Sequence, residues 1–112
     1  MENSKIKNVC VLDFAFQHIA GKYKGRILLM LHRQGCIRYG EFTRIIPDIS
    51  TKMLTQSLKE LERDGLILRC EYPQVPPRVE YSITAEGESF IPFLEHLVAW
   101  GHRKMNSPTF SL

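Results

Sequence analysis

Ser50, Thr51, Lys52, Thr55, Gln56 and Lys59 bring hydroxyls, an amide and two ammonium groups into one short stretch, "STKMLTQSLKELERDG". Leu54, Leu58 and Leu61 recur among them at helical spacing, so on a helix the leucines form one stripe and the polar six share the other side. Ser50 is placed to cap that helix and Gly65 to end it. Such side chains, crowded at a helix amino end, suit phosphate oxygens and base edges in a duplex major groove. The free amides of the first turn add attraction for a phosphate. An ordinary amphipathic helix with a solvated outer face has the same pattern. Glu60, Glu62 and Asp64 close the stretch, so an anion would meet its first half only.

A second stretch, "YPQVPPRVEYSITAEG", runs from Tyr72 to Gly87 with prolines at 73, 76 and 77 between two alternating segments. Proline cannot donate to a β ladder, so the prolines mark the tip of a hairpin and not its strands. They restrict the backbone before a partner arrives and blunt the hairpin against pairing with another chain. Arg78 follows directly, and arginine is favoured by the negative potential of a narrow minor groove. A stiff turn whose arginine pairs with Glu80 or Glu71 is the structural alternative.

Other chemistry finds little support. No Ser/His/Asp set, phosphate-cradling glycine loop or paired carboxylates in an apolar setting stands out, so no catalytic residue is assigned. His32 and Cys36 are four apart, but Gly35 breaks the helix between them and no second pair is evident; neither a metal nor a cofactor is expected. His18, His32, His96 and His102 read as surface or interface residues. Three widely spaced cysteines argue against a disulfide framework.

The chain has 112 residues, 44% hydrophobic and 24% charged, enough for one domain with one core. Its longest apolar run, Ile27 to Leu31, is too short to span a bilayer, no signal-peptide core is evident, and a cytoplasmic location is expected. Net charge is only +3, but it is unevenly spread. Lys22, Lys24, Arg26, Arg33, Arg38, Arg44, Lys52 and Lys59 face only Glu41 and Asp48, whereas the chain from Glu60 onward is net acidic. One face made for a polyanion follows from that asymmetry.

Leu12, Ala15, Phe16 and Ile19 form a helical stripe that Gly21 ends. A second helix runs from near Tyr23 to Gly35, and a short third carries Tyr39, Phe42, Ile45 and Ile46 until Pro47 stops it. The Ser50 helix follows. After Gly65 the period changes to two: Leu66, Leu68, Cys70 and Tyr72 point one way, with Cys70 turned inward, and Ile67, Arg69 and Glu71 the other. Val79, Tyr81 and Ile83 form the returning strand. Thr84 caps a last helix in which Pro92 predicts a kink or a delayed start. Short helix, tight turn, capped helix and hairpin make a helix-turn-helix with a wing.

Together "GKYKGRILLML", "ISTKMLTQSLKELERDGLI" and "YPQVPPRVEYSITAEG" closely resemble the HxlR-type family of winged helix-turn-helix transcription regulators, of MarR-like fold. The likeness extends from about Cys10 to Gly101. It implies a single domain over 1–112, mainly α with a small β-hairpin, with the helix-turn-helix at 38–64 and the wing at 66–83. Dimerisation helices are implied at 9–20 and 85–105, in a homodimer on a palindromic operator in double-stranded DNA. The Ser50 helix would be the recognition helix and Pro73 to Arg78 the wing tip. Cys10 falls at a spacing from "GKY" like that of a cysteine that several family members use to sense oxidants or electrophiles. Val11 stands where many relatives have proline, and "GKY" replaces the usual "GKW". A buried inert thiol and a redox sensor open to an oxidant or small-molecule effector are both readings of Cys10. Ser57 falls where many members carry arginine, which would leave the recognition helix one cation short.

The residues support a dimer on their own account. Phe90, Phe93, Leu97, Val98 and Trp100 spread too widely for one buried stripe and, with Phe14, Phe16 and Ile19, suit a self-complementary interface. The rival reading is a winged helix whose basic middle docks an acidic protein without specific DNA binding.

Overall fold

The computed structural model describes residues 4–106. Five helices and three strands follow in the order α1 (Ser4–Gln17), α2 (Lys24–Gln34), β1 (Cys36–Arg38), α3 (Tyr39–Ile45), α4 (Thr51–Arg63), β2 (Ile67–Tyr72), β3 (Arg78–Ile83) and α5 (Ala85–Met105). The architecture is mainly helical with a small antiparallel sheet, a winged helix-turn-helix.

The local signals act where the residues place them. Ser50 Oγ accepts the Met53 amide at 3.1 Å, and Thr84 Oγ1 accepts the Gly87 amide at 3.0 Å. At the far end of α4, Gly65 has a φ of +77°, and its amide and that of Leu66 bond back to the Glu62 and Leu61 carbonyls. That left-handed turn is cheap only for glycine, and it reverses the chain into β2. α5 begins at Ala85 and runs through Pro92, so its start is not delayed. α1 ends at Gln17, short of residue 20, in a turn where the His18 and Ile19 amides bond to Ala15 and Phe16.

The sheet departs from the expected hairpin in two ways. A third strand, β1, pairs with β3 and places Cys36 opposite Ser82 and Ile37 opposite Tyr81. Three residues are too few to show alternation, so the sequence alone does not mark Cys36 as the strand residue it is. The phase of β2 is also the reverse of that expected: Ile67 is buried, while Leu68 and Cys70 are exposed. Leu66 is indeed buried, but as part of the turn that closes α4, so it carries no information on the strand's phase. The ladder sets Ile67 against Ile83 and Arg69 against Tyr81 on the face that looks toward the helices.

The core lies between that face, α2 and the inner sides of α3 and α4. Ile27, Leu28, Leu31, Ile37, Phe42, Leu54 and Leu61 are wholly excluded from solvent. Phe42 meets Tyr81 edge to face with ring centroids 6.0 Å apart. Each such aliphatic or aromatic side chain contributes about 1.5–3 kcal/mol through burial.

Apolar surface remains on α1 and α5. Phe14 and Phe16 are exposed, as are Phe93, Leu97 and Trp100. The last three line a shallow cleft of about 450 Å³ together with His96 and Arg103. Two residues expected at a dimer interface also pack within the protomer. Ile19 is 7% exposed and belongs to the protomer's own core, because the turn after Gln17 folds it back inward. Phe90 packs partly on the core and stacks on His18 at 6.3 Å between centroids. Cys10 is exposed on α1 and is not the buried thiol of one sequence reading.

Candidate nucleic-acid interface

α4 presents its leucines inward and its polar residues outward, as the helical period requires. Thr51, Lys52, Gln56 and Lys59 are exposed, and Ser50 is exposed at the cap. Ser57 is buried with Leu54, Leu58 and Leu61, so it does not belong to the outward row. Thr55 is half-buried and shares a 2.8 Å hydrogen bond with the Tyr39 hydroxyl, which ties α4 to α3. Gln56 donates to Glu60 at 3.0 Å.

The basic middle of the sequence is redistributed by pairing. Lys24 is buried, with its ammonium 2.6 Å from the Glu60 carboxylate. That contact, with the Gln56 amide behind it, holds the Glu60 carboxyl below its ordinary value. Lys24 is therefore a strut between α2 and α4 and no part of a basic surface. Lys22 and Arg26 both reach Asp48, at 3.1 and 3.0 Å, in the turn before α4. Tyr23 donates its hydroxyl to the Asp48 carbonyl at 3.1 Å. Among the described residues, Arg38, Arg44, Lys52 and Lys59 make no ion pair, and their charge stays available.

Between α3, α4 and the wing lies a cleft of about 930 Å³. Five cations line it, Arg38, Arg44, Lys59, Arg69 and Arg78, against Glu41 and Glu62, with Thr55, Tyr39 and Tyr81 between them. Its charge attracts a sugar–phosphate strand. Arg69 is 3.5 Å from Glu71, a loose contact, and lies across the ladder from Tyr81, whose phenol is pushed up by burial. Arg78 is not at the wing tip. As the first residue of β3 it stands opposite Tyr72, with its guanidinium 4.4 Å from the Tyr72 ring centre and its Nε 3.1 Å from Glu80. That Nε is buried and not aligned for a hydrogen bond. The tip itself carries Gln74 and a fully exposed Val75 and no cation.

Of the residues singled out by spacing, the fold brings Thr55, Lys59 and Arg78 to the cleft. Ser50, Thr51, Lys52 and Gln56 lie outside it, on the rest of the outward side of α4. Arg38, Arg44 and Arg69 escape a search by motif. The first two belong to the charge excess of the middle segment, but only the cleft shows them to be neighbours of Lys59. Arg69 needs the strand register.

Asp48 also gives a pH signature. Lys22, and then Arg26, hold its carboxyl down from 3.8 to about 2. A carboxylate with a depressed pKa stabilises the fold fully above its unfolded value and loses that contribution as pH falls through the folded one. The stability difference between wild type and Asp48→Asn is therefore expected to persist at pH 5 and shrink as pH falls from about 4 to about 2. Urea unfolding across that range measures it, and a difference independent of pH would remove the ion pairs from the account.

The comparisons agree with this geometry. The model of the HxlR-like helix-turn-helix family matches residues 18–109. An HTH-type transcriptional regulator of Methanothermobacter thermautotrophicus is 47% identical over 93 residues, 83% of this chain and 70% of the relative. The redox regulator HypR in its oxidised form superposes with a TM-score of 0.81 at 40% identity, over 88% of this chain and 100% of that one. Its reduced form gives 0.80 at 40% identity, over 85% and 93%. With a helix-turn-helix, a wing and a cationic cleft between them, the chain belongs to the HxlR-like helix-turn-helix family of DNA-binding transcription regulators.

Proposed function

We propose that the protein binds a palindromic operator in double-stranded DNA as a homodimer, in the cytoplasm. The observation that carries this reading is the cleft between recognition helix and wing, with five cations against two carboxylates. A phosphate strand would run through it past Arg38, Arg44, Lys59 and Arg69. The first turns of α4 would then enter the major groove with Ser50, Thr51, Lys52, Thr55 and Gln56. Arg78 would act at the root of the wing, where the Tyr72 ring and Glu80 hold it ready for the minor groove. The exposed apolar side chains of α1 and α5 favour a second copy as partner, and two recognition helices would then sit about 34–36 Å apart.

Control by oxidant at Cys10 belongs to the same reading. The thiol is exposed, and a relative of closely similar fold, HypR, is a redox regulator known in oxidised and reduced forms.

One experiment tests these points: gel shifts with DNA flanking the protein's own gene, over a range of salt, with and without diamide. Specific binding should weaken steeply with salt, because each neutralised phosphate releases counterions. Arg78→Ala should cost roughly 1–3 kcal/mol of operator affinity, and unchanged affinity would take Arg78 out of the interface. Release by diamide in wild type but not in Cys10→Ser would establish the switch; indifference to diamide would leave a regulator without it. No specific binding to this DNA or to a random-site library would favour docking of an acidic protein instead.

A further inference from the structure

One cluster beside the recognition helix is not needed by the reading above: Asp48 with Lys22, Tyr23 and Arg26. Asp48 lies two residues before the Ser50 cap, in the turn that aims α4. Its carboxylate oxygens meet Lys22 Nζ at 3.1 Å, Arg26 at 3.0 Å and the Tyr23 hydroxyl at 3.4 Å. Both cations also flank the Tyr23 ring, at 5.5 and 5.4 Å from its centre. All three charged side chains remain substantially open to solvent, so this is a surface cluster that an incoming anion can reach.

The charges pull in opposite directions. The amino end of α4 and two cations attract a phosphate, whereas the carboxylate between those cations repels it. Any phosphate that engages Lys22 or Arg26 must take them from Asp48. The turn does not depend on the carboxylate alone, because Tyr23 also holds the Asp48 carbonyl at 3.1 Å. We propose that Asp48 is a built-in counter-anion, which withholds Lys22 and Arg26 from DNA phosphates and so restrains sequence-independent binding beside the recognition helix. Phosphate attraction is blind to sequence, so two withheld cations lower the affinity for duplex of any sequence.

The inference rests on the DNA-binding reading, and its test separates the two. Wild type, Asp48→Asn and the triple variant Asp48→Asn/Lys22→Ala/Arg26→Ala are compared on operator and random-sequence duplexes over a range of salt, and on a heparin column. Asp48→Asn is expected to bind random duplex severalfold tighter. Its salt dependence should steepen by roughly 0.9 logarithmic units for each phosphate gained, two at most. It should elute later from heparin, and the triple variant should return to wild-type behaviour. Unchanged or weaker binding by a folded Asp48→Asn, with unchanged heparin elution, would overturn the counter-anion. Later heparin elution without operator binding by any variant would overturn the operator reading and leave the counter-anion standing.

Discussion

Gly87→Ala is expected to lose about 3 kcal/mol of unfolding free energy, near the top of the range for overpacking. A Cβ at this position would run into the Leu66 carbonyl oxygen and the Ile83 side chain. A flexible side chain can move aside, but the carbonyl cannot, because it is held on several sides. It accepts the Thr84 amide at 3.1 Å, and the Thr84 hydroxyl donates to the neighbouring Gly65 carbonyl at 2.7 Å. The same hydroxyl caps α5 through the Gly87 amide. End of α4, end of wing and start of α5 thus meet at one point, and pushing any of them breaks hydrogen bonds in the others. Urea unfolding measures the loss. Gly40→Ala, where an added Cβ meets no neighbour, is the control and should be neutral or stabilising by up to about 1 kcal/mol. Equal stability of Gly87→Ala and wild type would show that the two segments separate without cost.

The second large effect concerns assembly. In the proposed dimer, Leu97→Glu places a charge in the apolar surface of α5, and the protein is expected to sediment as a monomer. Leu97 is 45% exposed in the protomer, so the substitution leaves the protomer's own core and its circular dichroism unchanged. Operator affinity should fall by a factor on the order of 100 to 10,000, since two half-sites are no longer held by one linked particle. Trp100, the only tryptophan, provides a second readout: its emission should shift to the red as the interface opens. Phe93→Glu should behave alike. A Leu97→Glu protein that remains dimeric with unchanged Trp100 emission would move the interface away from this face.

The sequence made the helices of the interface legible because their signals are local. Ser50 and Thr84 cap the helices they precede, Gly65 takes the left-handed turn, and Leu54, Leu58 and Leu61 point inward. Each depends on residues within a turn of one another. Cys70 lies on the face opposite to the expected one for the converse reason. A strand's phase is set by its partner strand, and the nearest clue, Leu66, is buried by the helix turn before it.

Charge shows the same division. Composition and order alone determined that the middle of this chain is basic, that α4 has a polar outward side, and that a stiff proline-bearing tip follows it. Which cations are free was decided only by the tertiary structure. Lys24 is buried on Glu60, Lys22 and Arg26 are held by Asp48, and Arg69 joins Arg38, Arg44 and Lys59 across a cleft. The physical reason is range. Caps and helical stripes are settled by neighbours in sequence, whereas pairing of charges and facing of strands are settled by distances between segments far apart along the chain, which exist only once the core has closed.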